Sequence, residues 1–253
     1  MASIYGGAVA IIKGLFNLTG LDVTRASRNP GRTLLGLRHL PIRSVVDVGA
    51  NTGQFARHII QFFPEAKLYC FEPLAEPFAT LQKWAQVQNE RVSAFNVALG
   101  AEEGETKMFL HVEHSASSSL LATTEVCNQL YPQTRTQDSV PVKLTTLDAA
   151  LSGQNLLDEV LVKLDTQGYE RQVIQGARKT LSQACAVIVE INLFKLYDQQ
   201  PSFIELATML NELGFRYAGN LDQTCSPTGE VVYVDAVFLK QVKSSEFTLQ
   251  RVL

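Results

Sequence analysis

Four acids, Asp47, Glu72, Asp165 and Glu190, each close or nearly close a short apolar run, and Lys163 stands two residues before the third of them. Carboxylates at strand ends can hold an ammonium group, accept from ribose hydroxyls, take a proton or ligate a hard cation. The run Val-Val-Asp47-Val-Gly49-Ala-Asn51-Thr-Gly53 breaks from strand into a glycine-punctuated turn. Gly49 and Gly53 can adopt backbone conformations closed to other residues, and the helix that follows would face its N-terminus to the same crevice. Such turns also serve as plain connectors, and Asp47 could simply cap one.

The second run, Leu68-Tyr-Cys-Phe-Glu72-Pro73, places an acid 25 positions after Asp47. That is close to the ~20-residue spacing at which an acid meets a ribose diol. A dinucleotide fingerprint would read G-x-G-x-x-G, whereas this turn follows an acid that would repel a diphosphate. It suits a ligand with an ammonium group and no phosphate, as in S-adenosylmethionine, with the amino-acid end toward Asp47 and the Gly49 backbone and the ribose on Glu72.

Strand alternation puts Lys163 and Asp165 on one face of a run at 160–165, and Glu190 and Asn192 on one face of a run at 186–192. A lysine in a doubly buried strand costs on the order of several kcal/mol unless an acid pairs with it, and Glu190 is the expected partner. Two chemistries compete for these strand ends. In one, Asp165 or a histidine of the 100–144 segment, His111 or His114, takes the proton of an acceptor hydroxyl. In the other, Asp165, Glu190 and Asn192 ligate a divalent ion such as Mg²⁺, which would lower the hydroxyl pKa. Glu170 reads as a first-turn helix acid held by the helix dipole.

The elements that position these groups alternate as an α/β sheet requires: strand 45–49, helix 53–62, strand 67–72, helix 75–87, strand 92–97. Residues 100–144 hold two strands, 106–112 and 140–144, around a Ser- and Thr-rich segment, and read as an insertion suited to a lid or to a surface loop. Regularity returns with strand 160–165, helix 169–182, strand 186–191, helix 201–213 and a closing hairpin, 215–221 and 231–240.

Val-Asp47-Val-Gly-Ala-Asn-Thr-Gly53-Gln-Phe55, Phe-Glu72-Pro73, Asn96-Val-Ala98-Leu, Thr146-Leu-Asp148, Lys163-Leu-Asp165-Thr-Gln-Gly168-Tyr-Glu170, Gly176-Ala177 and Val-Glu190 together resemble the FkbM family of S-adenosylmethionine-dependent methyltransferases over residues 42–240. The resemblance implies a class I methyltransferase fold, a Rossmann-like α/β sheet of seven strands with an antiparallel C-terminal hairpin and helices on both faces. It also implies O-methyl transfer to a sugar or secondary metabolite. On that reading Asp47, Gly49, Asn51, Gly53, Glu72, Asn96 and Ala98 bind the cofactor, Asp165, Lys163 and His114 serve catalysis, and Asp165, Glu190 and Asn192 would hold Mg²⁺ if a metal takes part. The chain departs from the family at Gln167, where an acid more often precedes the glycine. A nicotinamide-dependent oxidoreductase and a catalytically silent cofactor-binding partner module are the alternatives.

Composition agrees with a globular enzyme: 253 residues, 46% hydrophobic and 19% charged, fit a methyltransferase domain at 42–240, an N-terminal extension at 1–41 and a tail at 241–253. A net charge of −3 argues against nucleic acid as a partner, although Arg25, Arg28, Arg32, Arg38 and Arg43 make the segment before the first strand locally basic. Cys70, Cys127, Cys185 and Cys225 form neither a zinc pattern nor a disulfide framework, so a reducing cytoplasm is expected. The apolar stretch 4–18 is short of the ~20 residues that span a bilayer and reads as a docking helix, or as a peripheral membrane or homodimer contact. The expected partner is a small-molecule or glycan acceptor.

Overall fold

A computed structural model describes residues 29–112 and 114–241. The stretch 4–18, Arg25, Arg28 and the tail beyond 241 lie outside those residues. Ten strands are described: β1 (Ser44–Val48), β2 (Lys67–Phe71), β3 (Val92–Phe95), β4 (Ala98–Leu99), β5 (Gly104–Leu110), β6 (Asp138–Thr145), β7 (Val160–Leu164), β8 (Ala184–Asn192), β9 (Phe215–Cys225) and β10 (Val231–Lys240).

Seven of them form one sheet in the order β3-β2-β1-β7-β8-β10-β9. All pairings are parallel except those of β10, which runs antiparallel to both β8 and β9. This is the expected class I methyltransferase sheet, its last strand inserted between β8 and β9. The strand order reverses between β1 and β7, and crevices open at the carboxyl ends of the strands at such a point.

β1 and β7 are buried along their whole length, as β-branched and leucine-rich runs covered on both faces should be. Val46, Val48, Tyr69, Phe71, Val162 and Leu164 pack on one side of the sheet. Val45, Leu68, Cys70, Leu161 and Ile188 pack on the other. The same alternation turns Asp47 and Lys163, directly opposite each other in register, toward the second side. Two polar residues thus enter a core face side by side, just where the strands end.

The helix expected at 169–182 is broken into Glu170–Gln175 and Arg178–Gln183. The break falls at Gly176, where a Cβ would stand 2.0 Å from the Gly100 carbonyl oxygen. Chain from the 100 turn occupies the space a continuous helix would need. The other helices run shorter than their patterns suggest, Gln54–Ile59, Ala75–Gln86 and Phe203–Glu212. The strand expected at 92–97 ends at Phe95, and Ala98 and Leu99 instead join β6 in a second sheet of order β4-β6-β5. That small sheet carries a satellite core of Leu74, Ala98, Met108, Val142 and Leu144 against the carboxyl edge of the main sheet. No helix among the described residues is long and apolar enough to cross a membrane.

Candidate functional site

A cleft of about 350 Å³ opens at the carboxyl ends of β1, β2 and β7 and is roofed by Met108, Ser115, Ala116 and Leu120 of the second sheet and its loop. Asp47 lines it with no exposed surface, and neither carboxylate oxygen has a hydrogen bond within 3.5 Å among the described residues, the Ala56 backbone offering only a weaker contact that favours the charge. Burial raises its pKa to about 6, with Lys163 opposing the rise and Asp165 adding to it. An unpartnered buried carboxylate costs free energy unless a cation meets it.

The turn after β1 is fixed by the chain it touches. Gly49 has φ 80°, and a Cβ there would lie 1.8 Å from the Asp165 carbonyl oxygen. It therefore lets β1 and β7 come together at the cleft floor. Asn51, also left-handed at φ 47°, accepts from the Thr52 amide at 2.9 Å through its side chain, and its Nδ2 donates to Ser115 Oγ at 3.3 Å. Glu72 lines the same cleft, but its oxygens are engaged: Oε2 accepts from the Asn51 amide at 2.9 Å and Oε1 from the Leu74 amide at 2.8 Å. Burial raises its pKa to about 7 against those two hydrogen bonds. Glu72 thus clasps the turn after β1 to the turn after β2, and each oxygen keeps a further lone pair.

Ala98 lines the cleft. Asn96 does not; its amide nitrogen donates to the Glu72 and Pro73 carbonyls, both at 2.9 Å, and so holds the cleft edge. Gly53 also stands back from it, with a Cβ position facing Leu81 and Trp84 where the helix Gln54–Ile59 packs on its neighbour.

The expected ion pair between Lys163 and Glu190 is corrected by the structure. Lys163 Nζ donates to Asp165 Oδ2 at 2.6 Å. The register explains it: Lys163 stands opposite Ile188, two residues short of Glu190, while Asp165 follows on the same strand face. Asp47 and Asp235 add to the field that holds Lys163 charged, pushing its pKa up despite burial, and Phe55 lies 5.4 Å from the ammonium. Asp235, opposite Glu190 on β10, lines the cleft with a pKa raised to about 6 by burial. It was not among the sequence candidates, although an acid inside the apolar run of β10 carries the same signal that singled out Lys163.

Gln167 was also missed as a functional residue. Its Nε2 donates to Asp165 Oδ1 at 2.8 Å and to Glu190 Oε1 at 2.6 Å, and its Oε1 lies 2.7 Å from the Tyr197 hydroxyl. An amide nitrogen therefore sits between the two carboxylates that were to ligate Mg²⁺. Among the described residues no group of three or more His, Cys, Asp and Glu side chains is placed to hold a metal. The magnesium expectation finds no support in this geometry.

A second cavity, of about 250 Å³, lies beyond Asp165 and Gln167 and is bounded by Glu190, Asn192 and His114. His114 is exposed, with Nδ1 2.8 Å from Ser117 Oγ. His111 is buried and lines neither cavity. Glu170 accepts from the Thr166 and Gly168 amides at 3.0 and 3.1 Å, which makes it the organiser of the turn that carries Gln167.

The 2-O-methyltransferase NoeI of Sinorhizobium fredii is 27% identical to this chain over 190 residues, 72% of the chain and 76% of that protein. Among solved structures, the FkbM methyltransferase of Methylobacillus flagellatus KT aligns over 79% of this chain at 12% identity with a TM-score of 0.49. This chain spans 44% of that longer protein. The 1,6-didemethyltoxoflavin-N1-methyltransferase of Burkholderia thailandensis, solved with S-adenosylhomocysteine, aligns over 86% of this chain and 79% of its own at 13% identity and a TM-score of 0.45. The family model for the methyltransferase FkbM domain matches residues 47–217, from the buried acid of β1 into β9. That span covers the parallel strands from Asp47 through β8 and more than half of the chain, and with it the nicotinamide alternative falls away: this chain belongs to the FkbM methyltransferase family.

Proposed function

We propose that this protein transfers a methyl group from S-adenosylmethionine to a hydroxyl oxygen of a sugar or a glycosylated or secondary metabolite. The observation that carries the cofactor assignment is Asp47, a fully buried carboxylate with no hydrogen bond within 3.5 Å among the described residues, facing a cleft at the strand-order reversal. Lys163 supplies a field but makes its hydrogen bond to Asp165, so the Asp47 oxygens are left to accept from a compact cation, and the cofactor's ammonium would supply one. The Gly49 backbone would border the amino-acid end. Glu72, with lone pairs to spare, would accept from the ribose, while Asn51, Asn96, Gly53 and Ala98 hold or form the surrounding wall. The segment 100–144 serves as the lid, since residues between β5 and β6 roof the cleft.

The bound cofactor supplies an electrophilic methyl on a sulfonium, so the protein's task is chiefly orientation, which can contribute about 7 to 11 kcal/mol. Asp165 borders both cavities. Lys163 and Gln167 fix its two oxygens, and from that position it takes the acceptor proton as general base. Lys163 keeps the carboxylate oriented, and His114 lies at the rim, where it can pass the proton to solvent. The relative's name, a 2-O-methyltransferase, supports oxygen as the acceptor atom.

The test is incubation with trideuteromethyl-labelled cofactor and a panel of glycosides and hydroxylated metabolites, read by mass spectrometry. Labelled methyl ethers are expected. Asp165→Asn should cut turnover by about 100-fold or more while S-adenosylhomocysteine affinity stays within about twofold. Labelled methyl on nitrogen or carbon alone would overturn the reading.

A further inference from the structure

We propose that the second cavity is the acceptor chamber, that it admits one uncharged, hydroxyl-bearing ring, and that Gln167 is the positioning residue of the wall between chamber and cofactor cleft. This rests on the methyltransferase reading above and goes beyond it in naming where the acceptor binds and which acceptors are refused.

Location comes first. Asp165 and Gln167 line both cavities, so the partition between them consists of the base and the amide that orients it. Gln167's side-chain groups and its backbone oxygen are committed: both hydrogens of Nε2 go to Asp165 and Glu190, Oε1 faces the Tyr197 hydroxyl, and the backbone oxygen accepts from Ser119 Oγ at 2.7 Å. The residue holds a left-handed φ of 54°, a cost for a non-glycine side chain that the surrounding bonds offset. Such a residue fixes a boundary.

Size and chemistry select the occupant. At about 250 Å³ the chamber falls below the ~300–1,000 Å³ of sites for drug-sized ligands, which suits a single ring of the acceptor. Asn192 is only 6% exposed, and its Oδ1 is buried with no partner among the described residues. A hydroxyl donor would satisfy it. Tyr131 and Tyr233 add aromatic surface with polar tips, the mixture that fits a ring of C–H faces and O–H edges. Glu190 lines the same chamber, and burial and the charge of Asp165 hold its carboxyl well above the ordinary range. Among the described lining residues there is no lysine or arginine; Lys163 faces the other cavity. A phosphate or carboxylate on the ring would meet Asp165 with only the rim imidazole of His114 to offset the repulsion.

Saturation-transfer NMR on the full chain loaded with S-adenosylhomocysteine tests this. The neutral probes are the methyl glycosides of glucose, galactose, rhamnose and fucose, and the anionic probes are methyl glucuronide and glucose 6-phosphate. At least one neutral glycoside should give transfer, and the anions should give about tenfold less. Asn192→Leu and, in case that variant does not fold, Tyr131→Ala should each lower the neutral signal about fivefold while S-adenosylhomocysteine affinity stays within about twofold. Gln167→Ala should leave that affinity equally unchanged and lower kcat rather than raise KM, with Gln167→Asn restoring less than half of the loss. Equal transfer from anions, signal unchanged in the folded chamber variants, or no signal from any neutral glycoside would overturn the chamber. Failure of S-adenosylhomocysteine to bind at all would instead overturn the cofactor assignment.

Discussion

Replacing Asp47 by asparagine should raise the stability of the cofactor-free protein and destroy its affinity for the cofactor. The buried carboxylate has a pKa of about 6 against 3.8 for the ordinary group. A native pKa above the unfolded one means that the folded protein holds the proton more tightly. The associated stability is complete below pH 3.8 and is lost as pH rises through about 6, so at pH 7.5 the ionised side chain weakens the fold by up to about 3 kcal/mol. Asparagine removes that charge. With about 2–4 °C per kcal/mol for a chain of this size, the thermal midpoint of Asp47→Asn should rise at pH 7.5, by up to about 6 to 12 °C. The gain should shrink to about half at pH 5 and close only below about pH 3.8, where the carboxyl is protonated in the folded and unfolded chain alike. Affinity for S-adenosylhomocysteine should move the other way, weakening by about 2–4 kcal/mol, or about 30- to 1,000-fold, because a buried charge-assisted bond to the ammonium is lost. For the wild type, affinity should fall about tenfold between pH 7 and pH 5 as Asp47 takes up a proton, and the variant should lack that dependence. The assays are thermal melts and calorimetric titration across pH. A variant that melts lower than wild type at pH 7.5 and binds normally would refute the reasoning.

Lys163→Met should lower stability by about 3–5 kcal/mol at pH 7.5, since it leaves Asp47, Asp165 and Asp235 without their cation. The loss should shrink at pH 5.5, where the carboxyls of Asp47 and Asp235, both raised to about 6, begin to protonate; denaturant melts at the two pH values measure it. Gly49→Ala should cost about 3 kcal/mol or more by the same assay, because a Cβ would enter the Asp165 carbonyl oxygen, whereas Gly153→Ala, with the same φ of 80° and nothing within 4 Å, should cost about 1–2 kcal/mol. Glu72→Ala frees two amides and should lower stability by about 2–4 kcal/mol together with S-adenosylhomocysteine affinity, whereas Glu72→Gln, which can still accept from one of them, should lose about half as much stability. Chelator treatment of metal-stripped protein should leave methyl transfer unchanged within about twofold, since an amide bridges the carboxylates an ion would need.

The sheet was legible because its strands are apolar runs with acids at their ends, and Asp47, Glu72, Asp165 and Lys163 stood out as charges where none should be buried. Their partners were not legible. Lys163 and Glu190 share a face across neighbouring strands in any sequence reading, but the register that sets Lys163 opposite Ile188 depends on how β7 and β8 slide against each other. Gln167 sits in a left-handed turn, and its reach to two carboxylates is invisible without that turn's geometry. Asp235 belongs to a hairpin whose pattern announced topology, and only its insertion beside β8 brings the acid to the cleft. The broken helix at Gly176 has the same origin, a contact with residue 100 far off in sequence.

Calorimetric titration of the purified protein with S-adenosylhomocysteine, beside NADH, tests the central claim most directly. Micromolar binding of S-adenosylhomocysteine with no heat from NADH is the predicted result. Absence of S-adenosylhomocysteine binding, or binding of NADH in its place, would contradict the account.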